Sequence, residues 1–293
     1  MSSYRPIRDY VRVLGHFASI RSLEVLVLQA SPFFGGFLGG FQFEWEDLIR
    51  LILLLLGSLF LTAHIFILND WAGHNSDKRD PRRTTLVFTQ QKISRVQVAH
   101  VAIAFLIVAN IFFFMVGPLT MLFGAAIAVL SLLYSCSPRF GKVTPIAASI
   151  NHLVGGMLHF LLGYTLFHEL DGRGLAISLF FGLVFAGGHF NQEVRDYEGD
   201  SINGIRTSAV VFGPRRTFLA SLSLFTLAYA LIIGLAATSM LPNLLYGSFI
   251  PWFLHVAWSV QTLRQGLGFE AILKMQRRFR LLFAITGLAM LIR

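Results

Sequence analysis

The sequence predicts an all-α membrane protein, a polytopic transmembrane bundle of about nine helices. Hydrophobic residues make up 55% of its 293 residues and charged residues only 13%, whereas soluble domains carry about 25% charged residues. Apolar runs of roughly 18 to 24 residues recur along the chain, and each matches the length of a bilayer-spanning helix. Lysine and arginine concentrate in alternate loops, as the positive-inside rule predicts for such a bundle.

Nine apolar runs form the predicted spans, and glycine–proline or similar pairs separate several of them. These breakers are Gly117-Pro118, Ser137-Pro138, Gly213-Pro214 and Leu241-Pro242. In chain order the spans are 17–38, 48–70, 94–116, 118–136, 145–166, 174–195, 216–237, 241–263 and 278–292. No appendage or low-complexity tract interrupts them, so we treat residues 1–293 as one transmembrane domain.

The basic residues predict the orientation of the bundle. With the N-terminus on the cytoplasmic side, 21 of the 24 lysines and arginines fall inside, and only Arg50, Arg173 and Arg293 fall outside. The +9 net charge then reflects topology and attraction to lipid headgroups, so we expect a lipid bilayer and no nucleic acid as partner. A multi-pass protein of a bacterial inner membrane or its equivalent fits this pattern. The single Cys136 excludes an internal disulfide.

Two acidic clusters follow apolar runs that are far apart in the chain. The first follows the run 51–68, and the second ends the run 177–190. Together they hold seven of the 15 acidic residues, namely Asp70, Asp77, Asp80, Glu193, Asp196, Glu198 and Asp200. In the predicted topology both clusters lie at the cytoplasmic face, which suggests one shared site there.

The spacing of the acids indicates metal chemistry. Asp196 and Asp200 are one helical turn apart, and Asp70 and Asp77 are about two turns apart, so each pair shares a helix face. Carboxylates placed in this way repel each other, and a divalent cation is the usual compensation. Oxygen ligands with little histidine or cysteine support suit Mg²⁺, which takes phosphate oxygens as further ligands. For one cluster alone a solvated helix end is the preferred interpretation, but two clusters at the same face favour a functional site.

Basic residues stand beside both acidic clusters and between them. Carboxylates that hold Mg²⁺ and cations that hold phosphate oxygens are the two halves of a diphosphate site. Each basic residue by itself is a topology determinant, and only the assembly indicates a site. The set comprises Lys78, Arg79, Arg82 and Arg83 after the first cluster, Arg139 and Lys142 between spans four and five, and Arg195 and Arg206 around the second cluster.

The motifs resemble those of the UbiA superfamily of intramembrane aromatic and polyprenyl prenyltransferases. The first family motif, N-D-x-x-D-x-x-x-D, is matched by Asn69, Asp70 and Asp77, but Gly73 replaces its middle acid. The second motif, D-x-x-x-D, is matched by Asp196 and Asp200. Further similarities are Gly204-Ile205-Arg206-Thr207, Tyr134 with Arg139 and Lys142, and Arg21 in the first span. Where the family tends to carry Arg-Pro, this chain has Arg82-Arg83-Thr84-Thr85.

The resemblance implies a helix bundle around a central cavity that opens sideways to lipid. An isoprenoid diphosphate would place its tail there, ionise to an allylic cation, release diphosphate and prenylate a small acceptor of unknown identity. Mg²⁺ would be held by four catalytic acids: Asp70, Asp77, Asp196 and Asp200. The diphosphate contacts would be Arg21, Asn69, Lys78, Tyr134, Arg139, Lys142, Arg195 and Arg206.

Three alternatives stay open at this stage. The same fold could cyclise a prenyl diphosphate, the chain could be a non-catalytic membrane partner, or it could be a transporter that couples ions through membrane acids. Two further expectations concern polar residues. Each intramembrane histidine is first interpreted as structural, although His189 and Asn191 have the spacing to face the cavity, and Asn151 and His152 are candidates for an acceptor site. Asp80 is expected in a loop.

Overall fold

The computed structural model describes residues 6–80, 87–137 and 139–292, and within these ranges the regular structure is helical. Short 3₁₀ helices lie at Phe88–Gln91 and Asn243–Ser248. The α-helices are α1 (Pro6–Leu28), α2 (Ala30–Gly39), α3 (Trp45–Asp77), α4 (Arg95–Val116), α5 (Pro118–Cys136), α6 (Ala147–Phe167), α7 (Gly172–Ile202), α8 (Ser208–Phe212), α9 (Pro214–Ala237), α10 (Phe249–Gln265) and α11 (Phe269–Ala289).

The all-α prediction is confirmed, and every predicted span contains helix. Two spans differ in detail: 17–38 is divided into α1 and α2 at Gln29, and 241–263 begins with a 3₁₀ turn before α10. Among the described helices, six are long and apolar enough to cross a membrane, namely α3, α4, α5, α6, α7 and α9. The protein is therefore an integral membrane protein.

Helices α3 and α7 extend further than the apolar runs that predicted them. They contain 33 and 31 residues, and at about 1.5 Å per residue each approaches 50 Å, well beyond a hydrocarbon core of about 30 Å. Their polar C-terminal turns consequently project out of the apolar layer. Both acidic clusters lie on or directly after these turns, so helix geometry fixes the directions of most of their side chains.

Helices α2 and α6 approach each other at the level of their backbones. Gly35 and Gly39 of α2 lie against the Phe160 and Tyr164 backbone, and a Cβ atom at Gly163 of α6 would overlap the carbonyl oxygen of Pro32. Small residues allow such contact between membrane helices. This packing anchors α2 on the bundle and holds α1, which carries Arg21, beside α3.

The Gly163 contact gives a stability prediction. We expect Gly163→Ala to lower the free energy of unfolding by more than about 3 kcal/mol, because its methyl group requires the backbones to separate. For a chain of this size, the midpoint of thermal unfolding in detergent should fall by roughly 10 °C. Gly155→Ala on the same helix is the control, since nothing lies within 4 Å of its Cβ position. Equal midpoints for the two variants would contradict the close packing.

Candidate active site

A cavity of about 200 Å³, lined by both charged and apolar side chains, lies where α1, the C-terminal ends of α3 and α7, and the start of α11 come together. This volume can hold the polar headgroup of a ligand or several water molecules, each of which occupies about 30 Å³. Five predicted site residues line it: Arg21, Asp70, Asp77, Arg195 and Asp196. The remaining lining residues are His16, Phe17, Ile20, His74, Asp80, Val87, Phe88 and Phe269. The prediction that both acidic clusters share one site is thus supported by their positions.

Asp70 forms a two-point ion pair with Arg21 across the cavity. The Arg21 Nε donates to Asp70 Oδ2 at 3.0 Å, and Arg21 Nη2 donates to Oδ1. The guanidinium also lies over the Phe66 ring, 5.5 Å from its centroid. Asp70 is buried, and a buried carboxylate requires such a partner. Helix α1 is therefore coupled electrostatically to the first acidic motif.

Asp196 forms a similar pair with its neighbour Arg195. Arg195 Nε and Nη2 each donate to one Asp196 oxygen at 2.8 Å, and Nη1 donates to Gln276 Oε1 of α11 at 3.2 Å. Gln276 is buried, so it positions the guanidinium from behind. The second motif consequently presents a carboxylate and an arginine together at the cavity.

The missing acid at Gly73 leaves room that Lys142 uses. A Cβ atom at Gly73 would lie 3.1 Å from Lys142 Nζ and 3.2 Å from Asp77 Oδ2. The ammonium therefore reaches the first motif from the α5–α6 loop, at the place where similar proteins carry a carboxylate. This arrangement supports the expected role of Lys142 as a cation beside the diphosphate.

Asp80 follows the end of α3, in the loop where the sequence analysis expected it, and it lines the cavity. Its backbone N–H donates to Ser76 O at 3.2 Å, which continues the helical turn after Asp77. Its Oδ2 lies 2.5 Å from where a Cβ atom would be at Gly199, between Asp196 and Asp200 of the second motif. The glycine allows this close approach, so Asp80 adds a carboxylate where the two motifs face each other.

Other predicted site residues lie outside the cavity lining. Lys78, Arg139 and Arg206 are exposed, Asp200 is half-buried on the final turns of α7, and Asn69 has a buried Oδ1 without a hydrogen-bond partner in the described structure. Tyr134 hydrogen-bonds to His189. Arg82 and Arg83 fall outside the described residues. The lining residues that the sequence analysis missed come mainly from α1 and the 3₁₀ turn at Phe88, whose apolar side chains carry no motif.

The donor set fits Mg²⁺. Asp70, Asp77, Asp80 and Asp196 offer oxygen ligands around one cavity, and Mg²⁺ is usually held by one or two carboxylates plus water and substrate phosphates. Among the described residues, no three acidic, histidine or cysteine side chains form a group that could hold a metal ion by themselves, so water and substrate phosphates would have to complete the coordination. Arg21 and Arg195 neutralise two of the carboxylates, which relieves the repulsion among them.

A protein-family model for the UbiA prenyltransferase family matches residues 31–275, most of the chain. The chain belongs to this family. This match confirms the resemblance to the UbiA family that was inferred from the two acidic motifs, which contain Asp70, Asp77, Asp196 and Asp200. A search of curated proteins found no match.

Solved structures share the UbiA fold. A UbiA homolog from Archaeoglobus fulgidus, bound to GPP and Mg²⁺, has a TM-score of 0.68 at 20% identity, covering 97% of this chain and 99% of that one. The apo UbiA homolog from Aeropyrum pernix K1 has a TM-score of 0.71 at 15% identity, with coverage of 92% and 98%. A structure described as digeranylgeranylglyceryl phosphate synthase has a TM-score of 0.68 at 17% identity, with coverage of 95% and 97%.

Proposed function

We propose that this protein is a Mg²⁺-dependent prenyltransferase that moves a prenyl group from an isoprenoid diphosphate to a small acceptor within the membrane. One observation carries the proposal. The ends of α3 and α7, together with α1, bring carboxylates and cations to one cavity, with Asp70, Asp77 and Asp196 beside Arg21 and Arg195. Such a mixture suits a diphosphate that is bound to Mg²⁺. The metal ions need oxygen ligands, and the outer phosphate oxygens need cations.

Each group has a defined task in this proposal. Bound Mg²⁺ would neutralise the charge that develops on the departing diphosphate. The metal would be held by Asp70, Asp77, Asp196 and Asp200, and Asp80 would be a further ligand. Arg21, Lys142 and Arg195 would bind phosphate oxygens, since charge-assisted hydrogen bonds strengthen as the leaving group gains charge. The apolar lining, including Phe17 and Phe88, would exclude water from the allylic cation.

Four of the predicted diphosphate contacts have less support from the structure. Arg139 and Arg206 lie outside the cavity lining, as do Lys78 and Asn69. We propose that these residues serve the site only if the substrate draws their segments inward, while Arg21 and Arg195 act from the positions that they already hold.

The solved relatives support the donor class. Homologs from Archaeoglobus fulgidus are described as bound to GPP with Mg²⁺ and to DMAPP with Mg²⁺, and both ligands are isoprenoid diphosphates. We therefore extend this donor class to the present chain. The acidic motifs do not specify the acceptor.

The deciding experiment is a mass-spectrometric screen. Purified protein with Mg²⁺ is given isoprenoid diphosphates of several lengths, with and without phenolic, naphtholic and glycerol-phosphate acceptors. We expect a product whose mass is the acceptor plus the prenyl group minus one proton. A cyclic hydrocarbon without an acceptor would instead favour a prenyl diphosphate cyclase. No consumption of any donor would favour a transporter or a non-catalytic membrane partner.

The sidedness of the site is a further prediction. From the charge bias, the cavity and the N-terminus should face the cytoplasm. In a Cys136→Ser background, a cysteine at Ser201 should react with an impermeant thiol reagent only from the cytoplasmic side, and one at Gly172 only from outside. Both positions are exposed at opposite ends of α7. Labelling of both from one side would contradict a spanning α7.

Gly73→Asp tests the altered first motif. The new carboxylate would lie beside Asp77 and the flexible Lys142 ammonium, which can move to admit it. We expect the Mg²⁺ concentration for half-maximal activity to fall several-fold, because an added oxygen ligand strengthens the metal site. Gly73→Asn is the matched control with similar size and no charge. An equal or higher Mg²⁺ requirement in the Asp variant would show that Gly73 does not weaken metal binding.

A further inference from the structure

His74 is a buried histidine of the first acidic motif, and the proposed function gives it no role so far. It lies near the C-terminal end of α3, lines the cavity and is only 4% exposed. Its Nδ1 is buried and has no hydrogen-bond partner within the described ranges. Buried polar atoms are nearly always hydrogen-bonded, so an unpartnered nitrogen at a cavity wall calls for a ligand.

Two other buried histidines show what a structural role looks like in this bundle. His64 of α3 hydrogen-bonds through Nδ1 to Ala102 O of α4 at 2.8 Å. His159 of α6 hydrogen-bonds through Nε2 to Ser58 Oγ of α3, also at 2.8 Å. Each imidazole joins two helices, and that contact explains its burial. The described residues offer no such partner to the Nδ1 atom of His74.

His74 shares a face of α3 with two acids of the first motif. At about 3.6 residues per turn, Asp70, His74 and Asp77 fall within an arc of about 60° around the helix axis, and all three line the cavity. Gly73, where the family motif has its middle acid, is the residue directly before His74. The motif of this chain therefore offers an imidazole between two carboxylates, next to the position of the missing acid.

A ring stack holds the imidazole of His74 in place. The centroids of the His74 and Phe88 rings are 4.6 Å apart, and the ring planes are inclined by 24°. Phe88 is itself buried, in an apolar cluster that includes Val13 and Ile67. The stack covers one face of the imidazole and leaves the ring edge, which carries the nitrogens, for polar contacts. A side chain that is already ordered loses less conformational freedom when it binds a ligand.

The surrounding charges indicate that the ligand of His74 is a divalent cation. In the proposed arrangement the phosphate oxygens already have three cations, Arg21, Lys142 and Arg195, whereas the first motif lacks one metal ligand at Gly73. A neutral imidazole keeps a lone pair on one nitrogen and is the commonest metal ligand among protein side chains. His74 therefore complements the metal more than the phosphate.

We propose that His74 supplies a nitrogen ligand to the divalent metal ion at the first motif, in place of the acid that Gly73 lacks. The inference rests on the proposed function, which brings a metal-bound diphosphate to this cavity. Among the described residues no three such side chains hold a metal ion by themselves. His74 would therefore join the carboxylates of Asp70 and Asp77, and water and phosphate oxygens would complete the coordination.

A nitrogen ligand changes the metal preference of the first motif. Mg²⁺ prefers oxygen ligands, whereas Co²⁺ binds imidazole well and forms stronger complexes than Mn²⁺ at most protein sites. We expect His74→Gln to raise the Kd for Co²⁺ by about tenfold and the Kd for Mg²⁺ by less than about twofold. Both constants are measured by isothermal titration calorimetry with the unreactive donor analogue geranyl S-thiolodiphosphate present.

Pulsed electron paramagnetic resonance of bound Mn²⁺ detects the ligand directly. The full-length protein, purified without a histidine tag, is loaded with Mn²⁺ and geranyl S-thiolodiphosphate. A coordinated imidazole nitrogen modulates the electron spin echo, and labelling of histidine with ¹⁵N changes that modulation. We expect the nitrogen modulation in wild type and its loss in His74→Gln. His16→Gln is the matched control, since His16 also lines the cavity, and it should keep the modulation.

The possible outcomes separate this proposal from the proposed function. Bound Mn²⁺ without nitrogen modulation in wild type, or modulation that survives in His74→Gln, would overturn the role of His74 and leave metal-dependent prenyl transfer standing. The wild-type spectrum decides the first point even if His74→Gln does not fold. No binding of Mn²⁺, Co²⁺ or Mg²⁺ by folded wild type would reject both proposals. Nitrogen modulation that depends on His74, without turnover of any donor, would reject prenyl transfer and leave the metal ligand standing.

Discussion

Asp196→Asn is expected to lower prenyl diphosphate turnover by about 10³-fold while the protein stays folded in the membrane. The substitution keeps the size of the side chain and removes the charge that a metal ion needs. It also leaves Arg195 without its carboxylate partner at the cavity wall. Loss of one group that stabilises developing charge typically costs 10²- to 10³-fold, and loss of a metal ligand belongs at the upper end.

The comparison variant for Asp196 is Glu198→Gln on the same turn of α7. Glu198 is exposed and lies outside the cavity lining. It should keep activity within about twofold of wild type, since surface charges contribute little. Turnover is measured as diphosphate release, and size-exclusion elution confirms folding. Comparable activities of the two variants would exclude a special role for the second motif.

Lys142→Met is expected to reduce turnover by about 10²-fold and to weaken donor binding. Its ammonium reaches Gly73 and Asp77, where it would face the diphosphate as that group gains charge. Methionine keeps the length and flexibility of the side chain but carries no charge, so a loss of turnover is due to the missing positive charge. Donor binding is measured as thermal stabilisation by geranyl S-thiolodiphosphate with Mg²⁺.

Lys274→Met provides the control for Lys142, because this lysine of α11 is exposed, whereas the Lys142 ammonium lies beside Gly73 of the first motif. It removes the same charge from the chain and should leave turnover unchanged. If Lys142→Arg restores most of the activity lost in Lys142→Met, the requirement is for a cation at this position. Full activity in Lys142→Met would place the diphosphate away from the first motif.

The sequence was sufficient to predict the architecture because the bilayer constrains it strongly. Long apolar runs can cross hydrocarbon only as helices, so each predicted span proved helical. The helix ends were less predictable. The apolar pattern ends where the hydrocarbon layer ends. The helices continue further, α3 to Asp77 and α7 to Ile202, because helical backbone hydrogen bonds can also form in water. The break at Gln29 was missed, although Pro32 in the first turn of α2 is a sequence signal for a helix boundary.

Within the site, charged motifs were predictable and the small or apolar partners were not. Asp70 and Asp196 stand out in a chain with few acids, and both line the cavity. Asp80 was expected in the loop after Asp77, where it lies, but its place in the cavity lining was not predicted. Its position depends on a distant glycine, Gly199, that allows the two helix ends to meet. Tertiary contacts of this kind leave no local signal.

The most direct test of metal-assisted prenyl transfer is diphosphate release from geranyl diphosphate by the purified protein as Mg²⁺ is titrated. The account predicts release in step with prenylated product, none in excess EDTA, and recovery when Mg²⁺ is restored. Arg21 and Asp70 already pair across the cavity, so the EDTA-treated protein should remain folded by size-exclusion elution. Undiminished release in EDTA, or no release at any Mg²⁺ concentration with every donor, would contradict it.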